Sequence, residues 1–160
     1  GMSTTGLGYD IHRFAAGRPL ILGGVEIPHH QGLDGHSDAD VLSHAIADAV
    51  LGAIGEQDIG HHFPNTNEAL RGISSLVILE KSADLARARG VRINNIDATL
   101  IAEAPKIAPH VSAMRERIAA ALGLPAARIA VKATTNEGLG TIGRGEGIAA
   151  MAVATVEHPD

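Results

Sequence analysis

A chain of 160 residues with a formal net charge of −5 has the size of one domain, expected to span residues 1–160, and its acidity argues against a nucleic-acid or anionic-membrane surface. With no Cys, no Trp, one Tyr and two Phe, it offers no disulfide, no thiol nucleophile and too few aromatic platforms for stacking single-stranded nucleic acid. Residues 1–3 read as tag-derived or disordered. No basic, apolar signal segment follows them and no apolar run is long enough to span a membrane, so a cytoplasmic protein is expected.

The first predicted element is a strand over residues 4–14. Leu20-Ile21-Leu22 and Val25-Glu26-Ile27 flank Gly23-Gly24, the signature of a tight hairpin. Ser37 followed by Asp40 resembles a capping box and predicts a helix running to about Ile54, with Asp40, His44 and Asp48 on one face. Residues 55–72, rich in Gly, Asn and Pro, read as loop. A second helix is predicted over 74–89, closed by Gly90, then a strand over 91–102 that Pro105 ends. A third helix follows over 107–122, then a strand over 129–133. A Gly-rich turn from Asn136 to Gly147 leads into a last strand over 148–156. This order predicts an α+β fold, a mixed β-sheet with helices on one face.

Chemistry-bearing residues cluster early in the chain. Asp10 and His12, two apart on a strand, share a face. His44 on the first helix adds a second imidazole. One carboxylate and two imidazoles suit a zinc site with an open position, and without Cys no thiolate site competes. His36-Ser37-Asp38 precedes the first helix, where free backbone N–H groups favour an anion. Ala133-Thr134-Thr135-Asn136-Glu137 joins a strand end to a glycine turn, which can hold phosphate oxygens, with Glu137 available to a hard cation. Gly143-Arg144-Gly145-Glu146-Gly147 has neither P-loop nor dinucleotide spacing. His29-His30 and His61-His62 read as surface pairs.

Taken together, Gly8-Tyr9-Asp10-Ile11-His12, His36 through Ala45, Asp58-Ile59-Gly60, Phe63-Pro64, Ala104-Pro105-Lys106, Ala133 through Glu137 and Gly143 through Ile148 resemble the 2-C-methyl-D-erythritol 2,4-cyclodiphosphate synthase family over essentially the whole chain. The resemblance implies conversion of a cytidine diphosphate-linked methylerythritol 2-phosphate to a cyclic diphosphate with release of CMP. It implies Zn²⁺ or another divalent cation on Asp10, His12 and His44, with Mg²⁺ or Mn²⁺ on Glu137 at the diphosphate. Thr135 joins Glu137 and the three ligands as catalytic. His36 and Ser37 are implied at the methylerythritol phosphate, Asp48 and Asn65 at its hydroxyls, and Asp58 and Gly60 at the cytidine ribose. Ala102, Pro105, Lys106, Ile107 and Ala108, with Ala133, Thr134 and Thr135, are implied around cytosine and diphosphate. The family assembles as a homotrimer with sites between subunits. Arg144, also implied in substrate binding, would then face the central axis with Glu146.

Asn65 and Asn67 stand where the family commonly has Asp, a change an amide can absorb while still bonding a diol. Thr141 stands where the family often has an aromatic residue lining an axial cavity, which speaks against a prenyl diphosphate held there. Two other readings remain at this level: a zinc-dependent phosphate or ester hydrolase, and an oligomeric metal-storage or regulatory module.

Overall fold

The computed structural model describes residues 1–160. In chain order the strands are β1 (Ser3–Ala15), β2 (Leu20–Leu22), β3 (Val25–Ile27), β4 (Gly32–Leu33), β5 (Arg92–Ile101), β6 (Ile129–Thr134) and β7 (Gly147–Glu157). The helices are α1 (Val41–Ala53), α2 (Ile59–His62), α3 (Ser75–Ala88), α4 (Val111–Leu122) and α5 (Gly140–Gly143). Three short 3₁₀ turns complete the chain, at Glu68–Leu70, Ala108–His110 and Ala126–Arg128.

Five strands form a mixed sheet in the order β4-β1-β7-β5-β6, in which only β5 and β6 run parallel, and β2 pairs with β3 as a separate hairpin. α1 packs on β1 and β7, α4 on β6, and α3 against both helices. The expected α+β architecture therefore stands, with one buried cluster of 37 residues uniting sheet and helices into a single core.

Alternation along β1 sorts its side chains. Gly6 and Gly8 face α1, and a Cβ on either would overlap the carbonyl oxygen of Ala49 or Ala45. Their lack of a side chain lets strand and helix approach closely, which is how Asp10 and His12, next on the same face, come within reach of α1. The alternate residues Leu7, Tyr9 and Ile11 lie on the helix-free face, exposed, beside exposed Met151 and Val153 of β7. That apolar stripe is the unpaired side of the sheet.

Several boundaries differ from expectation. α1 starts at Val41, and its N-cap is Asp40, whose carboxylate accepts from Ser43 N. Ser37 therefore does not begin the helix, and Asp40 does not share its face. The expected loop over 55–72 contains α2 and a 3₁₀ turn, capped by Asp58 and Asn67. Neither has enough apolar periodicity to betray it. β1 starts at Ser3, and His158 donates its backbone N–H to Met2 O. The two-residue β4 had no sequence signal. No helix is long and apolar enough to cross a membrane.

Candidate metal centre and substrate cleft

Asp10 and His12 leave β1 on its helix side, and His44 leaves the first turn of α1 toward them. Asp10 Oδ2 lies 2.8 Å from His12 Nε2 and 3.0 Å from His44 Nδ1. One donor atom from each residue falls within 4.8 Å of the others. His12 is also held from behind, its Nδ1 being 2.7 Å from the Asp34 carbonyl. A carbonyl only accepts, so Nδ1–H donates, and the neutral ring turns the lone pair of Nε2 toward Asp10. A carboxylate and imidazole nitrogens aimed at one point fit a divalent cation of the zinc class.

Electrostatics agree. Burial by itself would raise the Asp10 pKa, but hydrogen bonds with His12 and His44, made when the facing ring nitrogens carry a proton instead of the neutral rings' lone pairs, outweigh it and hold the carboxyl at about 2. Burial works against a charged His12 ring, yet the Asp10 carboxylate prevails and raises its pKa.

A cleft of about 220 Å³ opens on this group. Its walls include Asp10, His12 and His44 together with His36, Ser37, Gly60 and Asn65. Arg18 fixes the segment that carries His36 and Ser37, donating from its guanidinium to the carbonyls of Gly35 and Ser37, each at 2.9 Å. Sequence reading missed Arg18, because an arginine in a turn carries no spacing signal. His36 Nε2 donates to Asn67 O at 3.0 Å, which leaves Nδ1 as its free nitrogen.

The expected anion site at the start of α1 is not there. Asp40, with no exposed surface, fills that helix end, accepting from the N–H groups of Gly23, Gly24 and Ser43 and from Ser43 Oγ. Burial raises the pKa of this carboxyl. It locks the β2–β3 hairpin to α1.

Asp48 lies one turn beyond His44. Its Oδ1 accepts from Ile59 N at 2.8 Å, so it anchors α2 rather than standing free. Burial, mainly, raises its pKa. Asp58 caps α2 by accepting from His61 N, and Gly60 is exposed beside the cleft. The histidine pairs are not plain surface residues: His62 is half-buried near Glu56, at 3.3 Å, and His29 is half-buried against Phe14.

The remaining site residues gather elsewhere. Ala102 N–H donates to Thr134 O, and the Glu103 carboxylate accepts from Asn136 N and Gly138 N. Through Glu103, a residue the sequence reading passed over, the loop from Ala102 to Ala108 is tied to the turn after β6. Ile107 is buried, while Lys106 and Ala108 are exposed. Thr135 Oγ1 accepts from Glu137 N, and Glu137 itself takes a left-handed backbone with φ of 53°. Every residue from Lys132 to Thr141 is exposed. Arg144 pairs with Glu146 at 2.8 Å. Thr141 and Glu146 line a second, wider hollow of about 520 Å³ with Ile11 and Arg13.

Within one chain the two groups are far apart. Asp10 pairs with Ala150, Ala150 with Leu100, and Leu100 with Ala133. Asp10 and Ala133 thus stand in one row of the sheet, separated by three interstrand steps or roughly 14 Å.

The sequence and the fold have known counterparts. The model of the YgbB family matches residues 3–157. The chain belongs to the YgbB family. It is 60% identical over 148 residues to 2-C-methyl-D-erythritol 2,4-cyclodiphosphate synthase of Pelobacter propionicus, covering 92% of this chain and 94% of that protein. The synthase of the same name from Geotalea daltonii is 59% identical, with 96% of this chain and 90% of that protein covered. Among solved structures, the CDP complex of IspF from Plasmodium falciparum superposes with a TM-score of 0.86 at 32% identity, covering 99% of this chain and 97% of that one. The bifunctional IspDF of Campylobacter jejuni gives 0.95 at 42% identity, and this chain spans 43% of its length.

Proposed function

We propose that the chain converts 4-diphosphocytidyl-2-C-methyl-D-erythritol 2-phosphate to 2-C-methyl-D-erythritol 2,4-cyclodiphosphate and CMP, a phosphorus–oxygen lyase reaction, in the cytoplasm and with residues 1–160 acting as one domain. The observation that carries this is the convergence of Asp10, His12 and His44 at a cleft walled by His36, Ser37 and Asn65, in a chain about 60% identical to synthases of that name.

An oxygen of the substrate's own 2-phosphate attacks the β-phosphorus. A new P–O bond forms, the bond to the α-phosphate bridge breaks, and CMP leaves with that electron pair. The phosphate is already ionised at neutral pH, so no side chain has to remove a proton. The chain's work is to fold the substrate back on itself, which converts its two ends into an intramolecular pair. His36, Ser37 and Asn65 hold the methylerythritol phosphate end. Asp48, through Ile59 N, fixes the turn whose Asp58 and Gly60 meet the ribose. Ala102, Pro105, Lys106, Ile107 and Ala108, facing Ala133, Thr134 and Thr135, cradle cytosine and diphosphate. Asp10, His12 and His44 are the residues that hold Zn²⁺, and Glu137 presents one carboxylate to Mg²⁺ or Mn²⁺, the usual protein share at a phosphate-bound magnesium. When bound, such cations neutralise phosphate charge and stabilise the charge that develops on the oxygens in transfer.

The working unit is a homotrimer with each site shared. Two observations support this. Ala133, where the run to Glu137 begins, stands roughly 14 Å across the sheet from Asp10 in one chain, farther than one diphosphate reaches. The exposed stripe of Leu7, Tyr9, Ile11, Met151 and Val153 is apolar surface of the kind that subunit contact covers. Arg144 and Glu146 then stand near the axis.

The test is ³¹P NMR of the purified protein with the cytidine substrate, Zn²⁺ and Mg²⁺. Cyclic diphosphate with CMP is expected. Linear hydrolysis products mark the hydrolase instead, and tight metal with no CMP marks a storage or regulatory module.

A further inference from the structure

Ser75 opens α3, has no exposed surface, and belongs to none of the groups discussed above. Its Oγ lies 2.8 Å from His44 Nε2 and 2.5 Å from Asp38 Oδ1. Both oxygens of Asp38 are engaged here, since Oδ2 accepts from Ser75 N and Oδ1 also from Asp40 N, both at 3.1 Å. We propose that the Asp38–Ser75 pair is a positioning device for the metal centre: it fixes the proton of His44 on Nε2 and so leaves Nδ1 bare for the cation.

The inference rests on the reading of Asp10, His12 and His44 as the metal group, and hydrogen-bond counting carries it. A carboxylate has no proton to give, and a serine hydroxyl has one. Ser75 must therefore donate to Asp38, and only its lone pairs remain to face His44. Nε2 must then be the donor, and the neutral ring's other nitrogen, Nδ1, carries a lone pair. That nitrogen is the one 3.0 Å from Asp10 Oδ2. Ser37 Oγ, 3.1 Å from Nε2, accepts from Ala39 N at 3.1 Å and keeps a second lone pair to share the ring proton; were its own hydroxyl to donate to Nε2 instead, the bare nitrogen would face the Ser75 lone pairs at 2.8 Å. On the far side the Asp34 carbonyl does for His12 what Ser75 does for His44. Both imidazoles are thus wired from behind, one through a backbone oxygen and one through a serine that is itself held by an acid.

Ser75 touches neither substrate nor metal, so its effect reads out as affinity. Partners of this kind typically change metal affinity 10–100-fold. The experiment measures zinc alone, by competition with a chromophoric chelator, on the wild type, Ser75→Ala and His44→Ala. It adds ¹⁵N NMR of the histidine rings in the zinc-free protein at alkaline pH. The expected result is a single zinc per wild-type chain, binding weakened about 10–100-fold in Ser75→Ala, and loss of site binding in His44→Ala. The wild-type His44 ring should carry its proton on Nε2, with the two tautomers mixing in Ser75→Ala. Wild-type zinc affinity in a folded Ser75→Ala overturns the relay and leaves the metal group standing. A His44 proton on Nδ1 in the wild type overturns it without need of any variant. Zinc binding unchanged in His44→Ala removes the metal group itself, and the relay with it.

Discussion

At the β1–α1 junction both imidazoles of the candidate metal group are held from behind. His12 is braced by the Asp34 carbonyl, His44 by Ser75, and the strand is pressed to the helix at Gly6 and Gly8. At the turn after β6 the opposite holds. Ten successive residues, Lys132 to Thr141, are exposed, and the backbone is steadied chiefly by Glu103 from the neighbouring loop. The difference separates two kinds of work. Gripping a dehydrated cation demands fixed geometry, which one chain can supply from its own core. In the proposed function, gripping a long, flexible nucleotide demands an outer wall, which one chain lacks here and a second copy can provide.

The largest effect should come from breaking the prebuilt region. His44→Ala removes a ligand while α1 keeps its apolar face, so the circular dichroism spectrum should persist. Site zinc should vanish, and turnover should drop by roughly 10³-fold, the several kcal/mol that a Lewis-acid cation supplies. Full zinc occupancy with normal turnover would take His44 out of the site.

Next in size is the loss of the second wall. Leu7→Glu with Tyr9→Glu places charge on the exposed stripe without touching the core. Sedimentation should shift from trimer to monomer, zinc binding should survive, and activity should collapse. A double variant that stays trimeric would show that the stripe is not the contact surface.

Glu137→Gln sharpens the comparison from the exposed side. Shape is kept and charge is lost, so zinc content should not change. The magnesium or manganese activation curve should move to higher concentration by about tenfold or more, the order expected when one of the few protein carboxylates at such a cation is removed. An unmoved curve would reduce Glu137 to a turn residue.

The smallest effect is the pH response of the prebuilt region. His12 has a raised pKa, so in zinc-free protein its contribution to stability is complete below 6.5, the ordinary imidazole value, and is lost as pH rises through the raised value. Asp10 has a lowered pKa, so its contribution is present above 3.8 and is lost as pH falls toward about 2. Zinc takes the proton's place, so it should release a proton near neutral pH and flatten the alkaline limb. Thermal midpoints across pH, with and without zinc, check this; identical limbs would mean that the ring does not exchange proton for metal.

The same division decided how much was legible in sequence. Local signals were sufficient where local physics governs: the Gly23-Gly24 hairpin, α3 between Ser74 and Gly90, and the i, i+2 pair of Asp10 and His12 all appear as read. Nonlocal demands were not legible. Asp40 reads as a helix residue, yet it is buried under a hairpin 16 residues earlier in the chain. Asp48 was read at substrate hydroxyls, and the contact of its Oδ1 with Ile59 N, 11 residues on, had no signal in the sequence. Ser75, Glu103 and Arg18 are invisible because their function lies in what they brace, and a brace has no spacing rule.

The claim that a site needs two copies is tested most directly by mixing two broken chains. His44→Ala disables the metal wall, and Thr134→Ala with Lys106→Ala cripples the nucleotide wall. Each variant alone should form inactive trimers. Co-refolded mixed trimers, with the trimer verified by sedimentation in the same sample, should recover part of the wild-type rate, because some sites then join two intact walls. No recovery in verified mixed trimers, or an active monomer, would contradict the shared site.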